Sequence, residues 1–276
     1  MKPNIFLIGQ NVTIYSEDGK NQFARTGETS LFHLKKAGAT GIILGHSEVR
    51  DEPQIINAKW KAALDYDLHD NIVLVGEDWE DLEKGWKNSS QQEIDGMKKK
   101  LQQKFLTILE GIDKKHIMKT VFGYEPSWGT RGSGRQNVEP PQPDQIEAMC
   151  SFMRKALSGA YGDDIAQKTR IIYGGSSSPE RTREIMPSAN VDGLILGSAC
   201  KTTDLVKSIG EGIVQATKEK KSQRKSVIAC NWKAYELEEP YTEFIDVITS
   251  FDGSVIDAYL SPVASDMHEV YTLLKN

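Results

Sequence analysis

"SVIACNWKAYE", residues 226–236, runs through four consecutive apolar residues, Val227 to Cys230, and then presents Asn231, Trp232 and Lys233 in a row. A short apolar run without polar alternation suits a strand buried on both faces, as in a parallel sheet. Its polar groups gather at the C-terminal end. Seven further segments share this design: "IFLIGQN" (5–11), "GIILGHS" (41–47), "NIVLVGE" (71–77), "KTVFGYE" (119–125), "RIIYGGS" (170–176), "VDGLILGS" (191–198) and "VIDAYLSP" (255–262). Each is bounded by glycine or polar punctuation.

Helix-like stretches separate them. "TGETSLFHLKKAG" offers Thr29 or Ser30 as an N-cap and Gly38 as a stop. "QQEIDGMKKKLQQKFLTILEGI" sets Ile94, Met97, Leu101, Phe105 and Ile108 on one face. "PQPDQIEAMCSFMRKALSG" starts with prolines and is expected to end at Gly159. "DLVKSIGEGIVQATKEK", "YTEFIDVITSF" and "SDMHEVYTLLKN" complete the set. An open doubly wound sheet would want a glycine-rich phosphate turn after its first strand, and "IGQNVTIYSEDG" is not one. Eight strand–helix units in roughly 250 residues fit a closed (β/α)8 barrel. The expectation is an α/β chain of one domain over residues 1–276, with "KEKKSQRK" (218–225) as a solvated linker between a helix and the next strand.

Composition narrows the function classes. A formal charge of −5 argues against a nucleic-acid partner, and 38% hydrophobic with 26% charged residues is ordinary for a globular enzyme. The apolar run near Met1 is too short for a secretory core, and no stretch is long enough to span a membrane. Cys150, Cys200 and Cys230 are odd in number and widely spaced, which fits neither a disulfide framework nor a CxxC metal site. The reading is a cytoplasmic enzyme with no membrane or nucleic-acid partner, no cofactor and no metal.

In a parallel barrel the C-terminal strand ends converge on one rim. Here those ends carry Gln10 and Asn11; His46, Ser47 and Glu48; Glu77; Glu125; Gly174 to Ser176; Gly197 and Ser198; and Asn231 with Lys233. Taken singly, each reads more readily as a structural hydrogen-bonding residue. Seven such ends on one rim argue for a site. The five histidines are scattered, and only His46 ends a strand, which speaks against a metal-dependent lyase or aldolase.

"GATGIILGHSEVR", "VFGYEPSWG", "RIIYGGS", "VDGLILGSA" and "IACNWK" resemble the signature segments of the triosephosphate isomerase family, whose barrel is the TIM barrel. The order differs: in that family the NWK strand comes first and the GQN strand third. Moving the last fifty-odd residues to the front restores the family order. The resemblance therefore implies a circular permutant, with 218–225 joining the family's usual ends. Neighbouring termini make such a rearrangement tolerable in a barrel.

The resemblance implies an aldose–ketose isomerase of glycolysis and gluconeogenesis. It would interconvert dihydroxyacetone phosphate and D-glyceraldehyde 3-phosphate through an enediol or enediolate. Glu125 matches the family's base and His46 its electrophile, which in triosephosphate isomerase is kept neutral by a helix N-terminus. Lys233 and Asn231 match the groups that stabilise the oxyanion, and Glu48 a supporting carboxylate. Gly132, Ser176, Gly197 and Ser198 match the phosphate-binding positions, with "GTRGSG" (129–134) as a lid. Ser198 stands where the family carries a second glycine, and Val49 where it carries an arginine. The 12–28 loop matches the family's interface loop, which implies a homodimer. Two alternatives stay open: isomerisation of a related phosphosugar such as a tetrulose phosphate, and an idle barrel that binds phosphometabolites without turnover. Retention of Glu125, His46 and Lys233 together speaks against the second.

Overall fold

The computed structural model describes residues 1–13, 27–78, 86–129 and 139–275. Eight strands close on themselves in chain order: β1 (Ile5–Gly9), β2 (Gly41–Leu44), β3 (Ile72–Val75), β4 (Val121–Tyr124), β5 (Arg170–Gly174), β6 (Gly193–Leu196), β7 (Ser226–Asn231) and β8 (Ile256–Ser261). All pairings are parallel. β7 lies against β6 with Leu196 opposite Cys230, and β8 returns to β1 with Ala258 opposite Ile5. The expected (β/α)8 barrel is present.

The helices among the described residues are α1 (Leu31–Lys36), α2 (Pro53–Asp65), α3 (Gln91–Leu109), α4 (Lys114–Ile117), α5 (Pro143–Tyr161), α6 (Asp163–Lys168), α7 (Pro179–Ile185), α8 (Thr203–Glu219), α9 (Tyr241–Thr249) and α10 (Met267–Lys275). Local chemistry sets their ends. Ser30 caps α1 by accepting the His33 N–H at 3.2 Å. Ser90 and Glu93 form a reciprocal capping box at the start of α3. Helix α5 runs past Gly159, the expected stop, and ends at Gly162, whose φ of +92° suits glycine. A Cβ at Gly159 would meet nothing within 4 Å, so that glycine is simply carried on an open helix surface.

The period-2 alternation of the strands divides the apolar side chains into two populations. Ile8, Ile43, Leu74, Val121, Ile172 and Ile195 belong to a small cluster within the barrel. Their strand neighbours, among them Ile42, Val73, Phe122, Ile171, Leu194 and Ile228, join the larger cluster that takes in the helices' apolar stripes. Both faces of every strand are thereby buried, which is why the sequence shows continuous apolar runs rather than alternation.

The basic stretch 218–225 is exposed or half-buried throughout, and it is anchored to its surroundings. Helix α8 extends through Glu219, and several of the cations after it are tied down. Lys220 donates to Val191 O at 2.6 Å. Arg224 Nε pairs with the buried Asp192 at 2.7 Å, while its other nitrogens reach Gln167 O and Ala189 O. Lys225 reaches Gly253 O and Asp257. Asp192 holds Arg154 as well, at 3.0 Å, so this carboxylate joins the stretch to α5. Backbone carbonyls at the strand N-terminal rim need donors, and the basic residues supply them.

Candidate active site

Strand β7 delivers its polar tip directly to the rim. Trp232 is buried, donates its indole N–H to Cys200 O at 3.0 Å, and packs edge-on against Tyr241 and Phe244. With the indole fixed on the outside of the barrel, the neighbouring residues are directed elsewhere. Lys233 adopts φ +50°, a left-handed conformation that a side chain bearing a Cβ rarely takes. Two contacts hold it there. Its N–H donates to Asn231 Oδ1 at 3.2 Å, and its carbonyl accepts from Gln10 Nε2 at 2.9 Å. The same Gln10 amide also bonds Ser261 O at 3.1 Å, tying the ends of β1, β7 and β8 together. Lys233 Nζ meets Glu48 Oε1 at 2.5 Å across the mouth of the barrel.

His46 follows β2 and is buried. The Glu48 backbone N–H donates to its Nδ1 at 3.1 Å. A nitrogen that accepts a hydrogen bond carries no proton, which leaves Nε2 as the ring nitrogen able to donate toward the cleft. Nε2 lies 3.4 Å from Glu125 Oε1. Glu125, also buried, accepts the Ser47 N–H on its other oxygen at 2.8 Å. Its main chain crowds Gly76, where a Cβ would come within 1.9 Å of Glu125 O. Its side chain leans on Gly174, where a Cβ would stand 3.2 Å from the Glu125 Cβ and Cγ. Both glycines are needed for close approach.

The opposite wall of the cleft comes from the loops after β5 and β6. Ser176, Gly197 and Ser198 share one cleft with His46, Glu125 and Lys233. Ser198 opens a short 3₁₀ turn ahead of α8. A Cβ on Gly197 would lie 3.6 Å from Lys233 Cε, so the ammonium-bearing chain passes close over that backbone. Below the rim, Tyr124 donates to both oxygens of the buried Glu77, at 2.9 and 3.2 Å. Burial, with the Glu77 charge second, pushes the Tyr124 hydroxyl pKa well up, so it stays a donor.

Of the residues singled out from the sequence, Glu125, His46, Lys233, Asn231, Glu48, Ser176, Gly197 and Ser198 all face this one cleft. Gly132 and most of the 12–28 loop lie outside the described residues. Sequence reasoning missed the Ser47 N–H as partner of Glu125 and the Gln10 amide as the clasp on Lys233. Gln10 gave a signal as a polar residue ending a strand; Ser47 acts through its backbone, to which side-chain identity offers no clue. Among the described residues there is no cluster of three or more His, Cys, Asp or Glu side chains able to hold a metal ion, and no helix is long and apolar enough to cross a membrane. All three cysteines are buried free thiols.

A (β/α)8 barrel whose C-terminal rim joins a carboxylate, an imidazole and an ammonium beside glycine-containing loops has the form of a barrel enzyme suited to acid–base chemistry. Comparison with known proteins narrows this class. The sequence profile of the family described as Triosephosphate isomerase matches residues 1–212. Proteins named triosephosphate isomerase from Finegoldia magna and Carboxydothermus hydrogenoformans are 35% and 32% identical over 201 and 215 residues, 71% and 76% of this chain and 72% and 77% of theirs. One from Dictyoglomus turgidum is 33% identical over 180 residues, covering 64% of this chain and 66% of its own. The chain belongs to the triosephosphate isomerase family, whose members so named are isomerases.

Proposed function

We propose that this chain interconverts dihydroxyacetone phosphate and D-glyceraldehyde 3-phosphate. The observation that carries the reading is the meeting of Glu125, His46 and Lys233 in one cleft with the Ser176 and Gly197 backbone. Moving a proton between adjacent carbons requires a base beside the carbons, a proton donor at the carbonyl oxygen, and a positive charge for the oxyanion that develops. Glu125 takes the proton from one carbon and returns it to the next. His46, donating from Nε2, polarises the carbonyl oxygen. Lys233 stabilises the enediolate, with Asn231 orienting it and Glu48 holding the ammonium until substrate arrives. The phosphate rests on the N–H groups of Ser176, Gly197 and Ser198, joined by Gly132. Glu125 is engaged with Ser47 N–H and must turn about its own side-chain bonds to reach substrate.

The reading extends to three further points. The chain is a circular permutant of its family, supported by a profile match that stops at residue 212, ahead of β7 and β8. It pairs as a homodimer through the 12–28 loop. The ends of that loop are drawn together by the Thr13 N–H on Thr29 O at 2.9 Å, and the half-exposed Val49 lies beside the groove they share with Asn11. It works in the cytoplasm, in keeping with its buried free thiols. Sedimentation at micromolar concentration should return about twice the monomer mass, and a strictly monomeric active protein would count against the pairing. The decisive assay is coupled turnover of D-glyceraldehyde 3-phosphate beside a tetrulose phosphate. Faster turnover of the triose is expected, and turnover of neither would favour an idle phosphate-binding barrel.

A further inference from the structure

Arg181 stands in the first turn of α7, two residues after Pro179, with its own N–H donated to the N-cap Ser178 Oγ at 3.2 Å. A cation there opposes the helix dipole, which favours the acidic Glu180 beside it. What offsets this is a pair of carbonyls. Arg181 Nε donates to Ser176 O at 3.0 Å and Nη2 donates to Pro141 O at 2.8 Å. The guanidinium also lies near the buried Tyr173 hydroxyl, working against the burial that raises that hydroxyl's pKa. Tyr173 Oη in turn underlies Gly175, where a Cβ would come within 2.2 Å of it. The loop from Gly175 to Ser178 is thus braced by a tyrosine beneath Gly175 and an arginine on Ser176.

From this we infer that Arg181 is a positioning residue for phosphate binding, an assignment that rests on the triose phosphate reading. Gly175, Ser176 and Ser177 line the cleft, whereas Arg181 and Pro141 do not, so the guanidinium grips the loop from behind. Among the described residues there are no cis peptide bonds, and in a trans peptide the C=O and N–H point in opposite directions. Pulling the Ser176 carbonyl back toward Arg181 therefore turns the Ser177 N–H toward the cleft, beside that of Ser176. Two successive N–H groups presented this way form a concave anion seat. The planar fork is essential, because one guanidinium reaches two carbonyls at a fixed angle and an ammonium does not.

The test compares Arg181→Met and Arg181→Lys with the parent, each first checked for cooperative thermal unfolding. In Arg181→Met the KM for D-glyceraldehyde 3-phosphate and the calorimetric Kd for inorganic phosphate should both rise about tenfold, the scale of a lost charge-assisted hydrogen bond. Turnover number should stay within about twofold, and kcat/KM for unphosphorylated D-glyceraldehyde should not change. Arg181→Lys should behave like Arg181→Met, and it supplies the reading if the methionine variant does not fold. An unchanged phosphate Kd, full rescue by lysine, or an equal loss on D-glyceraldehyde would overturn the assignment. Failure of the parent to turn over any triose phosphate would instead reject the substrate reading, while the phosphate Kd still reports on Arg181.

Discussion

Glu125 carries two obligations at once: its carboxylate is held by the Ser47 N–H at 2.8 Å, and its Oε1 lies 3.4 Å from His46 Nε2. Neither contact requires the residue to be a base, so the role is decided by substitution. Glu125→Gln keeps the shape and the hydrogen-bond acceptor but cannot take up a proton. Its kcat should fall at least the roughly 10²–10⁴-fold expected of general-base catalysis. Glu125→Asp withdraws the carboxylate by about one methylene, and a misplacement on that scale costs on the order of 10²-fold. Binding of a phosphate-bearing enediolate mimic should survive the aspartate change better than turnover does, because the proposed backbone seat for phosphate is untouched. Steady-state kinetics beside the mimic's Kd separates the two effects, and unchanged turnover in Glu125→Gln would sink the mechanism. Glu125, His46 and Lys233 were legible in the sequence because each ends an apolar run, and chain geometry alone sends such ends to one rim. The hydrogen bonds that orient them were not. Gln10 and Lys233 are 223 residues apart, and nothing in either local sequence names the other.

The secondary-structure elements were the most readable part of the chain, because burial on both faces writes each strand as an apolar block. Helix ends were read less well: at α5 two glycines compete, and only backbone conformation distinguishes Gly162 from Gly159. One short element carries a consequence for pH. In α4, His116 stacks on His69 with ring centroids 5.4 Å apart and planes 20° from parallel. Burial, then Lys115, His69 and Lys119, lower the His116 pKa below 6.5, and Asp113 opposes them only partly. A base whose folded pKa lies below its unfolded value favours the native state while neutral. That stability is complete above about pH 6.5 and is lost as the pH falls through the window beneath it. The parent should therefore lose more thermal stability between pH 7.5 and 5.5 than His116→Gln does. Melting curves at the two pH values measure the difference, and equal losses would show that the stacked pair is not linked to folding.

At the scale of the whole molecule the question is why a strand ending in Asn231 and Lys233 stands seventh. A closed barrel has no first strand in space. β7 is paired along its length to β6 on one side and to β8 on the other, and β8 completes the ring on β1. Cutting the chain before β7 removes two adjacent strands together with Lys233 and Asn231. It also exposes the hydrogen-bonding edges of β6 and β1 and opens the interior cluster at Val227, Ala229 and Tyr259. Open edges of that kind invite aggregation. A 1–225 fragment should accordingly be insoluble, or compact without cooperative unfolding. Returning 226–276 to the front, joined to Met1 through a short linker, should restore both a cooperative transition and turnover. That rearranged chain severs the covalent link made by 220–225. The noncovalent ties of Lys220 and Arg224 to Val191 and Asp192 remain on the α8 side of the cut, so some loss of stability without loss of the fold is expected. Thermal unfolding and isomerase assays on the three chains measure this. A 1–225 fragment that unfolds cooperatively like the parent would refute the permutation, because a native domain would then have been complete without the strand that carries its lysine.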